Sequence, residues 1–233
     1  MTEGTYIIDE RFKRSLSKFI KLIMLMFMMY MFFTIMIEMM KMFIELLKGK
    51  PKPEYDKVWN FDKVEELNDF ANKQLEYASV ENSYLVFNPP SGSNGIASRE
   101  EAKVYSKVKI RVKCLVSTSD ISTRLLGVTT DDGGVKLGVN ISTVEGDTSK
   151  LELWELGGNS ATFTNPNDFF DLIVDFQYRR AYVYHEGIKL AEIIITEQPS
   201  SGTTTSTIEF IEYNQSTVVT DDYIDYVMVR YRG

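Results

Sequence analysis

The sequence contains few residues of the kinds that staple small folds or bind transition metals. Its 233 residues include one cysteine, Cys114, and one histidine, His185. A single cysteine excludes an internal disulfide framework, and one His with one Cys is too few for a four-ligand zinc site. A P-loop and a G-x-G-x-x-G motif are also absent. The fold must therefore depend on its hydrophobic core.

Charge is distributed unevenly along the chain. Residues 1–53 contain nine Lys/Arg and five Asp/Glu, whereas residues 54–233 contain 17 Lys/Arg and 28 Asp/Glu. An acidic domain binds nucleic acid poorly, because contacts to phosphate need Lys and Arg. We therefore expect no nucleic-acid partner.

One long uncharged segment lies near the N-terminus, where residues 22–37 read LIMLMFMMYMFFTIMI. Crossing a hydrocarbon core of ~30 Å takes about 20 apolar residues. The span 19–40 provides them if Lys21 and Glu38 lie near the two interfaces. The sequence predicts one continuous helix from about Ser15 to Leu47. A signal peptide, with its apolar region of ~7–15 residues, and a buried core helix are the alternatives.

The chain divides into four predicted segments. These are a basic N-terminal arm at 1–18, the transmembrane helix and its extension at 19–47, a Pro/Lys linker at 48–56, and a β domain at 57–233. Five Lys/Arg precede the apolar run and four follow it. This small excess favours the N-terminus inside, with the β domain extracellular or on a virion exterior.

The β domain is predicted from period-two patterns. Val108, Ile110 and Val112 alternate with charged residues, as in a strand with one buried face. This strand makes Cys114 a buried apolar residue. Similar patterns occur at 135–141, 151–154, 172–177, 208–213 and 223–231, with turn signals between them. Residues 63–75 are predicted as a short helix. The fold class is mainly β, with two antiparallel sheets.

The order of these segments resembles the concanavalin A-like lectin/glucanase superfamily, which includes laminin-G-like jelly rolls. The resemblance covers residues 57–232. It implies a two-sheet antiparallel jelly-roll sandwich and, often, glycan binding. Ser83 replaces a usual Gly, and Glu186 a usual Asn/Asp, in two of the turns. The segments that carry the resemblance are VWNF (58–61), VENSYLVF (80–87), KVKIRVKCLV (107–116), AYVYHEGIKLAEI (181–193) and YIDYVMVRY (223–231).

Glucanases of this superfamily have an E-x-D-x-(x)-E strand, which this sequence lacks. Retaining hydrolysis needs two carboxyls about 5 Å apart. Glu152 and Glu155, in ELWE, have no Asp between them and are expected to point to opposite faces. We therefore expect no enzymatic activity.

Three aromatic residues are predicted to contact ligands or partners. If Leu151 and Leu153 face the core, Trp154 faces outward, as a sugar-stacking or protein-contact residue. Tyr182 and Tyr184 alternate with core positions in the same way. A strand that is covered on both faces is the alternative for all three.

Two further kinds of site are hypotheses from loop and motif chemistry. Four aspartates supply the hard oxygen ligands that calcium prefers, although Asp-Asp-Gly is also ordinary hairpin sequence. These are Asp131, Asp132, Asp221 and Asp222. No other cofactor is expected. Asn140 and Asn214 begin Asn-x-Ser sequons, so they are candidate glycosylation sites.

Together these observations predict a non-enzymatic, membrane-anchored surface protein. Its sandwich would contact neighbouring envelope or surface proteins, or glycans, in a cell or virion envelope, and copies of the chain could associate. Nine methionines from Met24 to Met42 would suit a helix bundle or a lipid-facing helix. The alternatives are a glycan-binding lectin and a pilin-like filament subunit.

Overall fold

A computed structural model describes residues 10–47, 54–70, 72–74, 77–87, 89, 94–114, 124–200, 202–213 and 222–233. The chain separates into two compact units, Met1–Pro53 and Glu54–Gly233. Residues 48–53 of the predicted linker and 1–9 of the predicted arm lie outside the described residues. The boundaries of arm, helix and linker therefore stay predictions.

The first unit contains a single described helix, α1 (Glu10–Leu47), which begins five residues before the predicted Ser15 and ends at the predicted Leu47. The stretch Phe12–Lys41 is long and apolar enough to cross a membrane, although a signal sequence has the same properties. Every side chain in this stretch is exposed in the chain, which argues against a core helix. Glu38 and Lys41 form an ion pair of 2.8 Å near its C-terminal end.

The second unit is built from strands, as the alternating sequence patterns predict, because each strand buries one face and exposes the other. The strands are β1 (Lys57–Trp59), β2 (Asn72–Gln74), β3 (Ala78–Glu81), β4 (Tyr84–Phe87), β5 (Asn94–Glu101), β6 (Tyr105–Lys113), β7 (Arg124–Asp132), β8 (Val135–Val144), β9 (Asp147–Glu155), β10 (Ser160–Thr164), β11 (Phe170–Asp175), β12 (Arg180–His185), β13 (Ile188–Ile194), β14 (Gln198–Pro199), β15 (Thr204–Tyr213) and β16 (Asp222–Tyr231).

These strands form two antiparallel sheets. The first sheet has the order β13-β12-β11-β6-β16-β4-β3, with β1 beside β16. The second has the order β10-β9-β8-β7-β15-β5-β2, with β14 beside β8. One buried cluster joins their inner faces, including Ile110, Val128, Leu153 and Val227. The predicted mainly β, two-sheet sandwich with an N-terminal apolar helix is confirmed.

Two tight turns show how the sequence departs from the usual residue choice. Asn82 and Ser83 between β3 and β4, and Glu186 and Gly187 between β12 and β13, all have positive φ. Two-residue hairpins of this kind favour Asn, Asp and Gly because only these adopt positive φ at low cost. Ser83 and Glu186 therefore occupy turn positions, as predicted, but at some cost in backbone strain.

The segment predicted as a helix at residues 63–75 is different in the structure. A 3-10 helix covers only Val64–Asp69, and β2 follows at Asn72–Gln74. The end of the 3-10 helix is tied to β1, where the Trp59 indole Nε1 donates to Asp69 Oδ2 at 2.8 Å. Cys114 is buried, as the strand pattern predicted.

Candidate functional site

The outer face of the second sheet carries an unusual set of side chains on β8 and β9. Strand alternation buries Leu151 and Leu153 in the core and places Trp154 on the opposite face, where it is half-buried. Trp154 pairs across the strands with Asn140 of β8, and Asn140 pairs with Gly127 of β7. One cross-strand row therefore brings an indole, an amide and a glycine side by side.

The Trp154 ring reaches across β8. Its Nε1 donates a hydrogen bond of 2.7 Å to the Ser142 hydroxyl, although Trp154 stands opposite Asn140 in the register. The indole therefore lies diagonally over the segment between these two residues. Because its N–H is already bonded within the sheet, the ring is held in place and offers mainly its apolar faces to the outside.

Asn140 is the most unusual polar residue of this face. Its side chain has no exposed surface, yet neither the amide nitrogen nor the amide oxygen has a hydrogen-bond partner among the described residues. A buried polar group without a partner costs roughly 1–3 kcal/mol, so native proteins seldom keep one without a reason. Asn140 is buried in the folded domain, whereas a glycan requires an exposed Asn, so the structure gives no support to this sequon and its use stays a prediction.

Small residues around Asn140 make room for the larger side chains that cover this face, so Gly138, Asn140 and Ser142 are all buried. A Cβ atom on Gly127 would lie 2.9 Å from Asn140 Oδ1, and one on Gly138 would collide with the Leu156 side chain. Gly138, Asn140 and Ser142 follow one another along the outer face of β8. We call this face of β8, together with Gly127 and Trp154, the β8 trough.

Charged side chains line the trough. Arg124 of β7 lies beside Gly127 and pairs with Glu209 of β15. Glu152 of β9 stands opposite Ser142. The trough therefore combines an aromatic wall, an unpartnered amide, a guanidinium and two carboxylates.

Glu155 shows why ELWE does not act as one pair of carboxylates. It lies on the other face of β9 from Glu152 and has no exposed surface. Burial would raise the pKa of its carboxyl, but hydrogen bonds from the backbone N–H groups of Asn159 and Gly157 and from the Thr196 hydroxyl hold the pKa below its usual range. Glu155 therefore organises the turn after β9.

The structure does not bring the predicted aromatic contact residues together. Tyr182 and Tyr184 lie on the outer face of the first sheet, whereas Trp154 lies on the second. The two tyrosine rings are half-buried, with centroids 6.1 Å apart. Their role as contact residues stays a prediction.

Two of the aspartates that were predicted as calcium ligands form hydrogen bonds or an ion pair with other side chains of the chain. Asp131 accepts hydrogen bonds from the hydroxyls of Ser200 (2.6 Å) and Thr203 (3.3 Å), and Asp132 pairs with Arg232. No group of three or more His, Cys, Asp or Glu that could hold a metal occurs in the described part of the chain. Asp222 begins β16, on a different strand. Asp221 and the sequon residue Asn214 lie outside the described residues.

Sequence reasoning found Trp154 but missed its companions. The pattern at 135–141 assigns Gly138 and Asn140 to the outer face of their strand, but it does not indicate that Asn140 is buried. Only the register with β7 and β9 shows that Trp154 and Gly127 flank Asn140. His185, the one histidine of the sequence, ends β12, and its Nδ1 lies 3.0 Å from the Phe169 carbonyl oxygen.

Comparison with known proteins gives structural likeness only. No protein-family model and no curated protein sequence matches the chain. The laminarinase catalytic domain of Thermotoga maritima is similar, with 14% identity, a TM-score of 0.54, and coverage of 77% of this chain and 98% of that one. The Crh5 transglycosylase in complex with NAG has 11% identity, a TM-score of 0.54, and coverage of 80% and 90%.

A third similar structure belongs to the endo-acting O-glycanases of the human gut microbiota, with 9% identity, a TM-score of 0.52, and coverage of 79% of this chain and 93% of that one. The expectation that this chain is not an enzyme is contradicted, because its structural neighbours are glycoside hydrolases and transglycosylases. The β domain has the concanavalin A-like jelly-roll fold that the sequence resemblance predicted.

Proposed function

We propose that the sandwich binds a carbohydrate in the β8 trough and that the N-terminal helix anchors it in a membrane. One observation carries the first part of this proposal. The Asn140 amide is fully buried without a partner in the described residues, directly beside the half-buried indole of Trp154.

The chemistry of a sugar matches this arrangement. A pyranose has an apolar face that stacks on an aromatic ring, and hydroxyls that both donate and accept hydrogen bonds. An Asn amide likewise offers two donors and an acceptor. Because the amide is fully buried, a sugar hydroxyl would reach Asn140 only after a covering side chain such as Trp154 moved aside. It would then form hydrogen bonds that are otherwise unmade, which would offset a cost already present in the fold.

The structural neighbours support the same proposal. A laminarinase, a transglycosylase in complex with NAG and a group of O-glycanases share this fold. Their likeness concerns the fold alone, so the choice of the β8 trough rests on the residues of this chain. Contact with neighbouring proteins, the other half of our initial hypothesis, has no comparable observation behind it.

Cleavage or transfer of the bound glycan is a second candidate. Glu152 and Glu209 both stand on the outer face, on either side of the trough. Strands β9 and β15 are three strand spacings apart, so the two backbones are about 14 Å apart. Extended side chains would bring their carboxyls towards the ~6.5–9.5 Å separation of inverting glycosidases.

A glycan array tests the binding proposal directly. We expect the full chain in detergent to bind a subset of glycans, and Trp154→Ala to weaken that binding by more than tenfold, or about 1.4 kcal/mol. Tyr178→Ala, at an exposed aromatic between β11 and β12 and outside the trough, is the control and should bind normally. Equal binding by Trp154→Ala and wild type would refute the site.

The same glycans can test the second candidate. Incubation with the full chain, followed by chromatography of the products, would show new reducing ends or transferred oligosaccharides if catalysis occurs. Glu152→Gln should then abolish the products while leaving array binding largely intact. Products that persist in Glu152→Gln would exclude Glu152 from catalysis.

Membrane anchoring has its own support and test. The apolar stretch of α1 is exposed along its whole length in the chain, which suits a lipid environment. We expect the full chain to stay with membranes after alkaline carbonate treatment, and a chain lacking residues 1–53 to be soluble. The proposed topology, with the sandwich outside, predicts that added protease digests the sandwich in intact cells. A protected sandwich would reverse the orientation.

A further inference from the structure

The N-terminal part of α1 is amphipathic, and this distinguishes it from the rest of the helix. Successive residues of an α-helix are about 100° apart around its axis. Arg14, Lys18 and Lys21 therefore fall within an arc of about 60°. All three are exposed in α1. We call these three residues the basic face.

The opposite side of the same turns is apolar. Phe12, Leu16 and Phe19 lie about 140° to 200° around the axis from Arg14. Their side chains are 61%, 46% and 58% exposed. A helix with a cationic stripe and an opposed Phe/Leu stripe suits the boundary between lipid headgroups and acyl chains.

The length of the basic face matches a headgroup layer. Arg14 and Lys21 are seven residues apart, or about 10 Å along the helix. The polar layer on each side of a ~30 Å hydrocarbon core is roughly 5–8 Å deep. If Lys21 lies at the edge of the core, the other two cations extend through the depth at which lipid phosphates lie.

The two flanks of the apolar stretch differ in charge balance. Residues 10–21 of α1 contain five Lys/Arg and one acidic residue, Glu10, which lies one turn before Arg14. At the other end, residues 38–47 contain one Lys and two Glu, and Lys41 is paired with Glu38. Attraction to negative headgroups is therefore concentrated at the N-terminal end of the helix.

We propose that the basic face of α1 binds the headgroups of anionic phospholipids, which fixes the depth and the rotation of the helix in the leaflet on that side. The inference rests on the anchoring part of the proposed function. It adds a specific lipid class and a specific set of residues. Each Lys or Arg near an anionic surface adds to the attraction, and salt screens it.

Lipid selectivity can be measured on the full chain reconstituted in phosphatidylcholine vesicles. Trace spin-labelled phosphatidylglycerol or phosphatidylcholine reports the fraction of each lipid held at the protein surface. We expect an association ratio of about fivefold in favour of phosphatidylglycerol, decreasing towards unity in 1 M salt, because a Debye length of ~3 Å screens the contacts.

Three variants identify the residues responsible. Arg14→Gln with Lys18→Gln and Lys21→Gln should bring the ratio close to one. Removing three charges from the other flank, with Lys41→Gln, Lys48→Gln and Lys50→Gln, should leave the preference intact. The chain also permits a variant of unchanged composition, in which Arg14 is exchanged with Ser15 and Lys18 with Ser17. These exchanges move two of the three cations off the basic face. They should lower the ratio of phosphatidylglycerol to phosphatidylcholine association by at least half.

The outcomes separate this inference from the anchoring proposal. Extraction of the wild-type chain by carbonate would mean that the anchor fails. A chain that resists extraction but shows no preference for phosphatidylglycerol would overturn the inference alone. Full preference in the exchanged variant would also overturn it, because net charge and not the face would then be responsible.

Discussion

The two outer faces of the sandwich differ in how completely their polar groups are paired. On the first sheet, Asp171 accepts from the Tyr226 hydroxyl at 2.8 Å and pairs with Lys109 at 3.1 Å, while Arg111 lies 3.4 Å from Asp225. On the second sheet, the amide of Asn140 has no partner in the described part of the chain. Among the described residues, the first face leaves one buried atom, Arg111 Nε, without a hydrogen bond but beside a carboxylate, whereas the second face leaves both polar atoms of the Asn140 amide unused.

This difference indicates where a polar ligand gains most. A ligand on the first sheet must displace ion pairs that already exist, so its new contacts are offset by those it breaks. A ligand that contacts Asn140 breaks no hydrogen bond of the amide, although it must displace the side chains that bury it. A polar residue that lacks a hydrogen-bond partner is therefore better evidence for a binding site than a large number of polar residues that are already paired.

The largest expected effect concerns the two glutamates of ELWE, which belong to opposite faces of β9. Glu155→Ala should lower the free energy of unfolding by about 3 kcal/mol, because buried N–H groups of the following turn lose their acceptor. Glu152→Ala, on the outer face, should change it by less than about 0.5 kcal/mol. Urea denaturation of residues 54–233, which contain the whole core cluster, gives both values. Similar losses in the two variants would contradict the assignment of faces.

A smaller effect is expected for Trp154. Because its ring is half-buried, Trp154→Ala should destabilise the domain by about 1–2 kcal/mol, less than the ~3–5 kcal/mol of a core aromatic. Tyr184→Ala, a half-buried aromatic on the other outer face, is the matched control. A thermal melt of both variants is the measurement. If Trp154→Ala costs 4 kcal/mol or more, Trp154 is structural and the β8 trough is part of a covered core.

Asn140 allows stability and binding to be separated. Asn140→Leu has nearly the same shape and removes two unpartnered polar atoms, so it should stabilise the domain by about 1 kcal/mol. The same variant should lose glycan affinity on the array. A stabilised variant with unchanged binding would mean that the amide plays no part in recognition. A destabilised variant would mean that the amide has a partner in the native fold.

The contribution of Glu155 to the free energy of unfolding should depend on pH, with a change similar in size to that expected for Asn140→Leu. Hydrogen bonds hold its pKa below the usual 4.5 in the folded state, so its stabilising contribution is complete above pH ~5 and is lost as pH falls through the folded pKa. Each unit by which the pKa is lowered contributes ~1.4 kcal/mol. Unfolding measured from pH 6 to pH 3 should therefore show a steeper loss in wild type than in Glu155→Gln. Parallel curves would contradict this account.

The smallest effect concerns the floor of the trough. Gly127→Ala places a Cβ 2.9 Å from Asn140 Oδ1, so the amide must shift by a few tenths of an ångström. We expect a few-fold loss of glycan affinity with less than about 1 kcal/mol of destabilisation. Gly134→Ala, where nothing lies within 4 Å, is the control. Equal affinities for the two variants would mean that the position of the amide is unimportant.

Much of the fold could be predicted from the sequence because side chains along a strand alternate between the buried and the exposed face. The alternation at 108–114 and 223–231 located two central strands and the burial of Cys114. The pattern failed where strands lack it. β5, with Glu100 and Glu101 at its end, and the short β10 were not predicted.

The candidate site was less predictable for a physical reason. Alternation assigns a residue to a face, but it does not say which side chains on neighbouring strands cover that residue. Asn140 was expected to be exposed because it alternates with Val139 and Ile141. Its burial depends on the register that brings Trp154 and Gly127 beside it. The alternation pattern of a single strand does not predict its pairing register with neighbouring strands.

The buried position of Cys114 has a practical and a biological consequence. It is the one thiol of the chain, it is 2% exposed, and its backbone carbonyl accepts a hydrogen bond from the Asn165 amide at 3.0 Å. A shielded thiol reacts slowly with oxidants and alkylating reagents. Copies crowded on one surface should therefore not become cross-linked under oxidising conditions. A cysteine introduced at the exposed Tyr178 would take up a maleimide dye selectively, so the native chain is ready for single-site fluorescent labelling.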